Sequence, residues 1–121
     1  MPTFEPFEVV TVPFPFVERP VLKRRPAVVI SRPVLQDRLG LIWVVMITSA
    51  RNEAWPGDIP VADITLAGLS RPSVIRPCKM SVIEPTEIRA IGRLDGDVID
   101  ALTRALAEIL PPLQSRTTGP P

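Results

Sequence analysis

The sequence predicts a mainly β domain that ends in one α-helix. Short β-branched runs follow one another along the chain, 16 prolines interrupt them, and the only long stretch with helical spacing comes last. Several short strands before one amphipathic helix favour a small, strongly bent antiparallel sheet or barrel with the helix packed on it. With 121 residues, 45% of them hydrophobic, the chain can bury one core but not two. We expect one domain over residues 1–112 and a disordered tail, rich in Ser, Thr, Gly and Pro, over residues 113–121.

The strands are predicted from β-branched runs and from the prolines and glycines between them. The first run contains Pro13 and Pro15, which predicts a strand that lies along an edge or bends sharply. A basic loop is expected at residues 17–25. The predicted strands are 8–16, 26–31, 41–48, a weak strand at 59–67 followed by a turn at Gly68, 71–77, 79–83 and 89–94. A turn or one short helical turn is predicted at 33–40 and a loop at 51–58.

The C-terminal helix is predicted from its apolar face. The residues at helical spacing on that face are Val98, Ile99, Leu102, Ala105, Leu106, Ile109 and Leu110. Asp95 or Asp97 can cap the first turn, and Pro111 ends the helix. We expect the apolar face to pack on the core, with a dimer contact as the alternative.

The composition excludes several kinds of chemistry. The chain has no histidine, which rules out an imidazole base and histidine-ligated metal. A single cysteine, Cys78, allows neither an intrachain disulfide nor a thiolate zinc cage, and the six scattered glycines form no phosphate-binding loop. Carboxylate-bound magnesium stays open, although nothing in the spacing of the acids suggests it. Because no motif for a metal or a cofactor is present, we predict neither.

Charge is distributed unevenly although the net charge is only +1. Residues 19–38 carry six cations against Asp37 alone, and this balance suits a polyanion bound on one side. No apolar run reaches the roughly 20 residues that span a bilayer, and residues 1–6 lack the cations of a signal peptide. We expect a cytoplasmic protein that does not contact a membrane.

Residues 21–31 join three consecutive cations to a continuous apolar run. Pro26 has no backbone N–H and suits a strand's first residue, which places Arg25 at the mouth of a buried strand. A second apolar run, residues 41–49, ends in the hydroxyls of Thr48 and Ser49. If the two strands pair, Arg25 and Thr48 line one site.

Five motifs follow one another along nearly the whole chain. They are Glu8-Val-Val-Thr-Val-Pro-Phe-Pro-Phe16, Arg25-Pro-Ala-Val-Val-Ile-Ser31, Ile47-Thr48-Ser49, Arg71-Pro-Ser-Val-Ile-Arg-Pro-Cys-Lys79 and Ile91-Gly-Arg-Leu94. In this order they resemble the MazF/PemK toxins of type II toxin–antitoxin systems. The resemblance implies an SH3-like barrel, a homodimer, a sequence-selective endoribonuclease for single-stranded RNA, and inhibition by a cognate antitoxin. It also implies that Arg25 and Thr48 are the catalytic pair.

Physical chemistry gives this pair a role beside the resemblance. RNA carries a 2′-OH next to each phosphate, so a metal-independent enzyme can position that nucleophile and stabilise the charge on the phosphoryl oxygens. Arg25 offers a bidentate, permanently charged fork, which favours electrostatic work over proton transfer. Thr48 is expected to bind a non-bridging oxygen or to direct a proton. From the residues alone, a surface cation and an ordinary strand residue remain alternatives.

Five more residues are candidates for RNA binding. Lys23 and Arg24 either position phosphates or are solvated charges. Lys79 is a further candidate to bind a phosphate of the same RNA. Trp55 either stacks on a base or covers the core. Ser49 either supports the catalytic pair or satisfies local backbone groups.

Three functions fit these observations. The first is the metal-independent endoribonuclease toxin, the second a toxin of the same fold that poisons a DNA topoisomerase, and the third an inactive module that binds antitoxin or RNA. Only the first needs both Arg25 and Thr48. The apolar excess in so small a domain also predicts a homodimer, and the basic segment predicts an antitoxin whose disordered, acidic and apolar segment lies over it.

Overall fold

The computed structural model describes residues 2–16, 19–86 and 88–112, and the described elements are six strands and two helices. They are β1 (Glu8–Phe16), β2 (Arg19–Val29), α1 (Pro33–Leu39), β3 (Ile42–Ser49), β4 (Ile59–Pro60), β5 (Ser73–Ile83), β6 (Arg89–Arg93) and α2 (Gly96–Ile109). The antiparallel strands, in the order β4-β5-β3-β2-β1-β6, curl into a half-barrel. This confirms the predicted mainly β fold with a C-terminal helix. The tail predicted at residues 113–121 lies outside the described residues.

The first two strands form a long hairpin. Their pairing runs from Val9 opposite Val28 to Phe16 opposite Arg19, so the basic segment predicted as a loop is strand from residue 19 onward. The strand extends there because the segment finds backbone partners across the hairpin. Among the described residues, β6 pairs with residues 8–11 of β1. The half of β1 that contains Pro13 and Pro15 is therefore an edge in the described sheet, as their missing N–H groups predict.

β5 is one strand where the sequence predicted two. Its register on β3 shifts between the pairs Met46–Arg76 and Val45–Met80, so residues 77–79 form a bulge that accommodates Pro77 without ending the strand. The weak strand predicted over residues 59–67 is wrong beyond Pro60, because β4 contains only Ile59–Pro60. Residues 61–69 turn instead, and the N–H of Leu69 donates to the carbonyl of Ile64 at 2.8 Å.

Apolar side chains cover both faces of the sheet because successive strand residues point to opposite sides. One cluster contains Val28, Val45 and the fully buried Leu102 of α2, and the cluster on the other face contains Ala27 and Val44. The apolar face of α2 thus packs on the core, which was the favoured expectation. Replacing Leu102 with alanine should lower the free energy of unfolding by about 2–5 kcal/mol.

The first turn of α2 is capped by Asp95, one of the two predicted caps. Its Oδ1 accepts the N–H of Val98 at 3.0 Å. Asp97 lies within the first turn, where its charge favours the positive end of the helix. In the described part of the chain, neither helix has the length and hydropathy needed to cross a membrane.

Residues 61–72 join β4 to β5 and pack directly on β6 through two glycines. A Cβ on Gly68 would lie 2.0 Å from the carbonyl oxygen of Ile91, and a Cβ on Gly92 would lie 2.3 Å from the carbonyl carbon of Ala67. Gly68 also has a φ of +75°, which L side chains rarely adopt. A side chain at either glycine would push this segment away from β6.

Candidate active site

A groove of about 520 Å³ opens where β2, β3 and the segment before β5 meet. Its lining residues are Lys23, Arg24, Arg25, Pro26, Ile47, Thr48, Ser49, Asn52, Leu69, Ser70, Arg71 and Ser73. β2 and β3 pair as expected, with Ala27 opposite Met46 as the last pair on this side. Arg25 and Thr48 each lie two residues beyond this last pair, and both line the groove. The sheet therefore places the two predicted catalytic residues in one groove.

Arg25 is held at the groove by the β1–β2 hairpin. Its backbone pairs with Val12, and its half-buried side chain lies beside Pro26 at the point where β2 becomes fully buried. A guanidinium presents its N–H donors in a planar fork that matches two phosphate oxygens. A strand fixed on one side by β1 can hold that fork in place for a ligand in the groove.

The opposite wall carries two hydroxyls at the end of β3. The amide Nδ2 of Asn52 donates to Oγ1 of Thr48 at 2.5 Å. Oγ of Ser49 accepts the backbone N–H of Arg51 at 3.2 Å. Ser49 therefore lines the groove and also satisfies a local backbone group, and its role in RNA binding stays a prediction.

The lining is strongly positive. Lys23, Arg24, Arg25 and Arg71 contribute four cations to it. Arg24 is oriented by β1, because its Nη2 donates to the hydroxyl of Thr11 at 2.8 Å and to the carbonyl of Thr11 at 2.9 Å. Lys23 is exposed. Such a concentration of cations attracts phosphate oxygens.

Trp55 and Lys79 lie outside this lining in the described part of the chain. Trp55 belongs to the loop after β3, and the guanidinium carbon of Arg76 lies 4.3 Å from the centre of its ring. The tryptophan is still 41% exposed. Lys79 is exposed in the bulge of β5. The groove thus contains Lys23, Arg24 and Ser49 among the five predicted RNA-binding residues.

The loop of residues 50–58 is fastened by Arg76, which is only 7% exposed. Nε of Arg76 forms an ion pair with Oδ1 of Asp58 at 3.2 Å, and Nη2 donates to the backbone carbonyl of Glu53. Asp58 in turn accepts the N–H of Trp55 at 2.9 Å. These contacts, together with the stacking of Arg76 on Trp55, hold the loop that carries Asn52 into the groove.

The sequence did not indicate Asn52, Arg71 or Arg76 as site residues. Arg71-Pro72 stands directly before β5, as Arg25-Pro26 stands at the start of the buried part of β2, and this repeated dipeptide was a usable signal. Asn52 had no such signal, because its position depends on how the loop after β3 folds back. Within the described residues, no three His, Cys, Asp or Glu side chains lie together in a way that could hold a metal ion.

The fold is that of a small, mainly β protein with one C-terminal helix, and its groove is lined by cations and hydroxyls. The family model of PemK-like, MazF-like toxins of type II toxin–antitoxin systems matches residues 5–110. The chain belongs to this family, and the resemblance inferred from its motifs is confirmed.

Solved structures of MazF proteins share this fold. MazF in a MazE–MazF complex from Deinococcus radiodurans (Form-III) has a TM-score of 0.72 at 17% identity, over 88% of this chain and 95% of that one. The Mycobacterium tuberculosis toxin MazF-mt6 has a TM-score of 0.62 at 23% identity, over 86% and 94%. An endoribonuclease from a mycobacterial species, in complex with its cognate antitoxin, has a TM-score of 0.66 at 13% identity, over 89% and 93%. A search of curated proteins found no significant match.

Proposed function

We propose that the chain is an endoribonuclease toxin that cleaves single-stranded RNA at selected sequences without a metal ion. The observation that carries the proposal is the placement of Arg25 and Thr48 in one groove that three further cations line. Membership of the toxin family supports it, as does the similar fold of a mycobacterial protein described as an endoribonuclease. Arg25 and Thr48 are the catalytic residues in this proposal, and Lys23 and Arg24 position the RNA backbone.

The proposed reaction uses the substrate's own nucleophile. The 2′-oxygen attacks the adjacent phosphorus and loses its proton, the bond from phosphorus to the 5′-oxygen breaks, and that oxygen gains a proton. The products are a 2′,3′-cyclic phosphate and a 5′-hydroxyl. Negative charge builds on the non-bridging oxygens during attack, and the fixed positive charge of Arg25 and the hydroxyl of Thr48 stabilise it there. Because both groups belong to the protein, this stabilisation needs no bound cation.

The decisive experiment uses an RNA with one 2′-deoxy substitution at the scissile nucleotide. A map of new 5′ ends in cellular RNA after induction first identifies the cleaved sequence. The all-RNA oligonucleotide should then be cut in excess EDTA, and the 2′-deoxy oligonucleotide should stay intact. Cutting of the 2′-deoxy substrate, or activity only with added magnesium, would mean that water and a metal carry the reaction. DNA breaks without RNA cleavage after induction would favour a topoisomerase poison instead.

Two partners belong to the proposal. We infer that the chain forms a homodimer, as its apolar content suggests. Light scattering should give twice the monomer mass, and a monomer mass at all concentrations would contradict this.

We also infer a cognate antitoxin that covers the cationic groove with an acidic and apolar segment, since some similar structures are toxin–antitoxin complexes. Co-expression with the neighbouring small reading frame should abolish growth arrest, and unchanged arrest would show that this reading frame is not the antitoxin.

A further inference from the structure

Asn52 is a groove residue on a loop, and it contacts Thr48 of the proposed catalytic pair directly. It lies four residues beyond Thr48, and the chain turns back so that its amide reaches Oγ1 of Thr48 at 2.5 Å. The turn is closed by the backbone, because the N–H of Asn52 donates to the carbonyl of Ser49 at 3.0 Å. The contact therefore joins a loop side chain to the end of a rigid strand.

The direction of this hydrogen bond decides what the Thr48 hydroxyl can do. A hydroxyl has one proton to donate and two lone pairs that accept, whereas an amide NH₂ group only donates. Asn52 therefore occupies a lone pair of Oγ1 and leaves the proton of Thr48 available. An acceptor in the groove, such as a non-bridging phosphate oxygen, can take that proton in a hydrogen bond.

We propose that Asn52 is a positioning residue that orients the Thr48 hydroxyl as a hydrogen-bond donor toward the scissile phosphate. This inference rests on the proposed ribonuclease function and adds a role that acts through Thr48. Asn52 carries no charge and orients the hydroxyl of Thr48. The hydrogen bond from that hydroxyl to the phosphate strengthens as negative charge develops on the phosphate oxygens during the reaction. Its loss should therefore slow the chemical step more than it weakens RNA binding.

The position of Asn52 is set by the protein itself. One end of the loop is joined to the segment before β5, where the N–H of Ala50 donates to the carbonyl of Pro72 at 3.0 Å. The other end is fastened by the ion pair of Arg76 with Asp58 at 3.2 Å. With both ends held, the amide is in place before RNA enters, which is the preorganisation that this kind of catalysis requires.

The test compares two substitutions at one position. Asn52→Ala should lower kcat about tenfold, the kinetic equivalent of one neutral hydrogen bond, and leave KM within about twofold. Asn52→Asp has the same shape but accepts the Thr48 proton and adds a negative charge beside the phosphate, so its kcat should fall about 100-fold or more. Ala54→Ser, in the same exposed loop, should keep wild-type kinetics and serves as the control.

A double-mutant cycle then tests whether Asn52 acts through Thr48. Thr48→Val removes the hydroxyl and keeps the shape, so in single-turnover assays Asn52→Ala should cause no further loss in this background. The same tenfold loss in both backgrounds, or a rise in KM alone, would show that Asn52 contacts RNA directly and would overturn the proposal. If the wild type cuts RNA and Asn52→Ala keeps full kcat, the positioning role fails alone. If the wild type cuts no RNA, the proposed function fails.

Discussion

Arg25 and Arg76 lie on the two strands that flank β3, yet their surroundings differ. Arg76 is 7% exposed, forms an ion pair with Asp58 and lies over the ring of Trp55. Arg25 is half-buried and lines a groove to which Lys23 and two more arginines contribute. A cation paired with a buried carboxylate holds structure, because removing one partner leaves the other charge uncompensated. A cation that adds to a positive groove attracts an anionic ligand. We therefore expect a substitution of Arg25 to lower the rate of cleavage and a substitution of Arg76 to lower stability.

The largest expected effect is that of Arg25→Ala on cleavage. Loss of the charge that we propose to face the developing phosphorane should lower kcat by about 10²–10³, by analogy with the loss of one oxyanion donor. The free energy of unfolding should fall less than in an Arg76 variant, since the side chain of Arg25 lies at the groove and is more exposed than that of Arg76. Cleavage assays and urea unfolding of the same preparation check both. If Arg25→Ala were destabilised but still cut RNA at the wild-type rate, Arg25 would have a structural role and not a catalytic one.

The second effect is that of Arg76→Met on stability. The substitution keeps an apolar side chain over Trp55 but leaves Asp58, whose side chain is 11% exposed, without its counter-ion. We expect the free energy of unfolding to fall by about 3 kcal/mol. Urea unfolding at a fixed chain concentration measures it. The double variant Arg76→Met with Asp58→Asn is the matched control and should recover part of the loss. Equal stability of Arg76→Met and the wild type would show that this ion pair does not hold the loop.

The smallest effect separates the two interpretations of Trp55. Arg76 covers part of the ring and Trp55 lies outside the groove lining, so Trp55→Leu should cost about 1 kcal/mol of unfolding free energy through the lost cation–π contact. KM for RNA should stay within about twofold. Thermal or urea unfolding and steady-state kinetics decide between the interpretations. A tenfold rise in KM with unchanged stability would instead mean that Trp55 stacks on a base.

Local patterns were sufficient to predict the fold class and to place Arg25 and Thr48 close to one another. The β-branched runs, the helical spacing after Asp95 and the prolines depend on neighbours in sequence, so the strands and α2 could be predicted from them. Arg25 and Thr48 stand at the ends of two apolar runs, and antiparallel pairing of those runs brings such ends together.

The remaining features depend on contacts between distant parts of the chain. The basic segment became strand because β1 offers it partners, and Pro77 is accommodated because β5 bulges against β3. The role of Arg76 required the position of Asp58, 18 residues earlier in the chain. The position of Asn52 beside Thr48 depends on the path of the loop after β3. No periodicity or motif in the neighbourhood of these residues encodes such contacts.

The close packing of Gly68 on Ile91 and of Gly92 on Ala67 has a consequence for genetics. Leu69, Ser70 and Arg71 reach the groove only because the segment that carries them lies flat on β6, where neither glycine leaves room for a Cβ. A methyl group at either position would displace one whole wall of the groove. In a selection for cells that survive induction of this toxin, escape alleles should therefore arise at Gly68 and Gly92 as readily as at Arg25. The two codons would score as active-site positions although neither residue lines the groove.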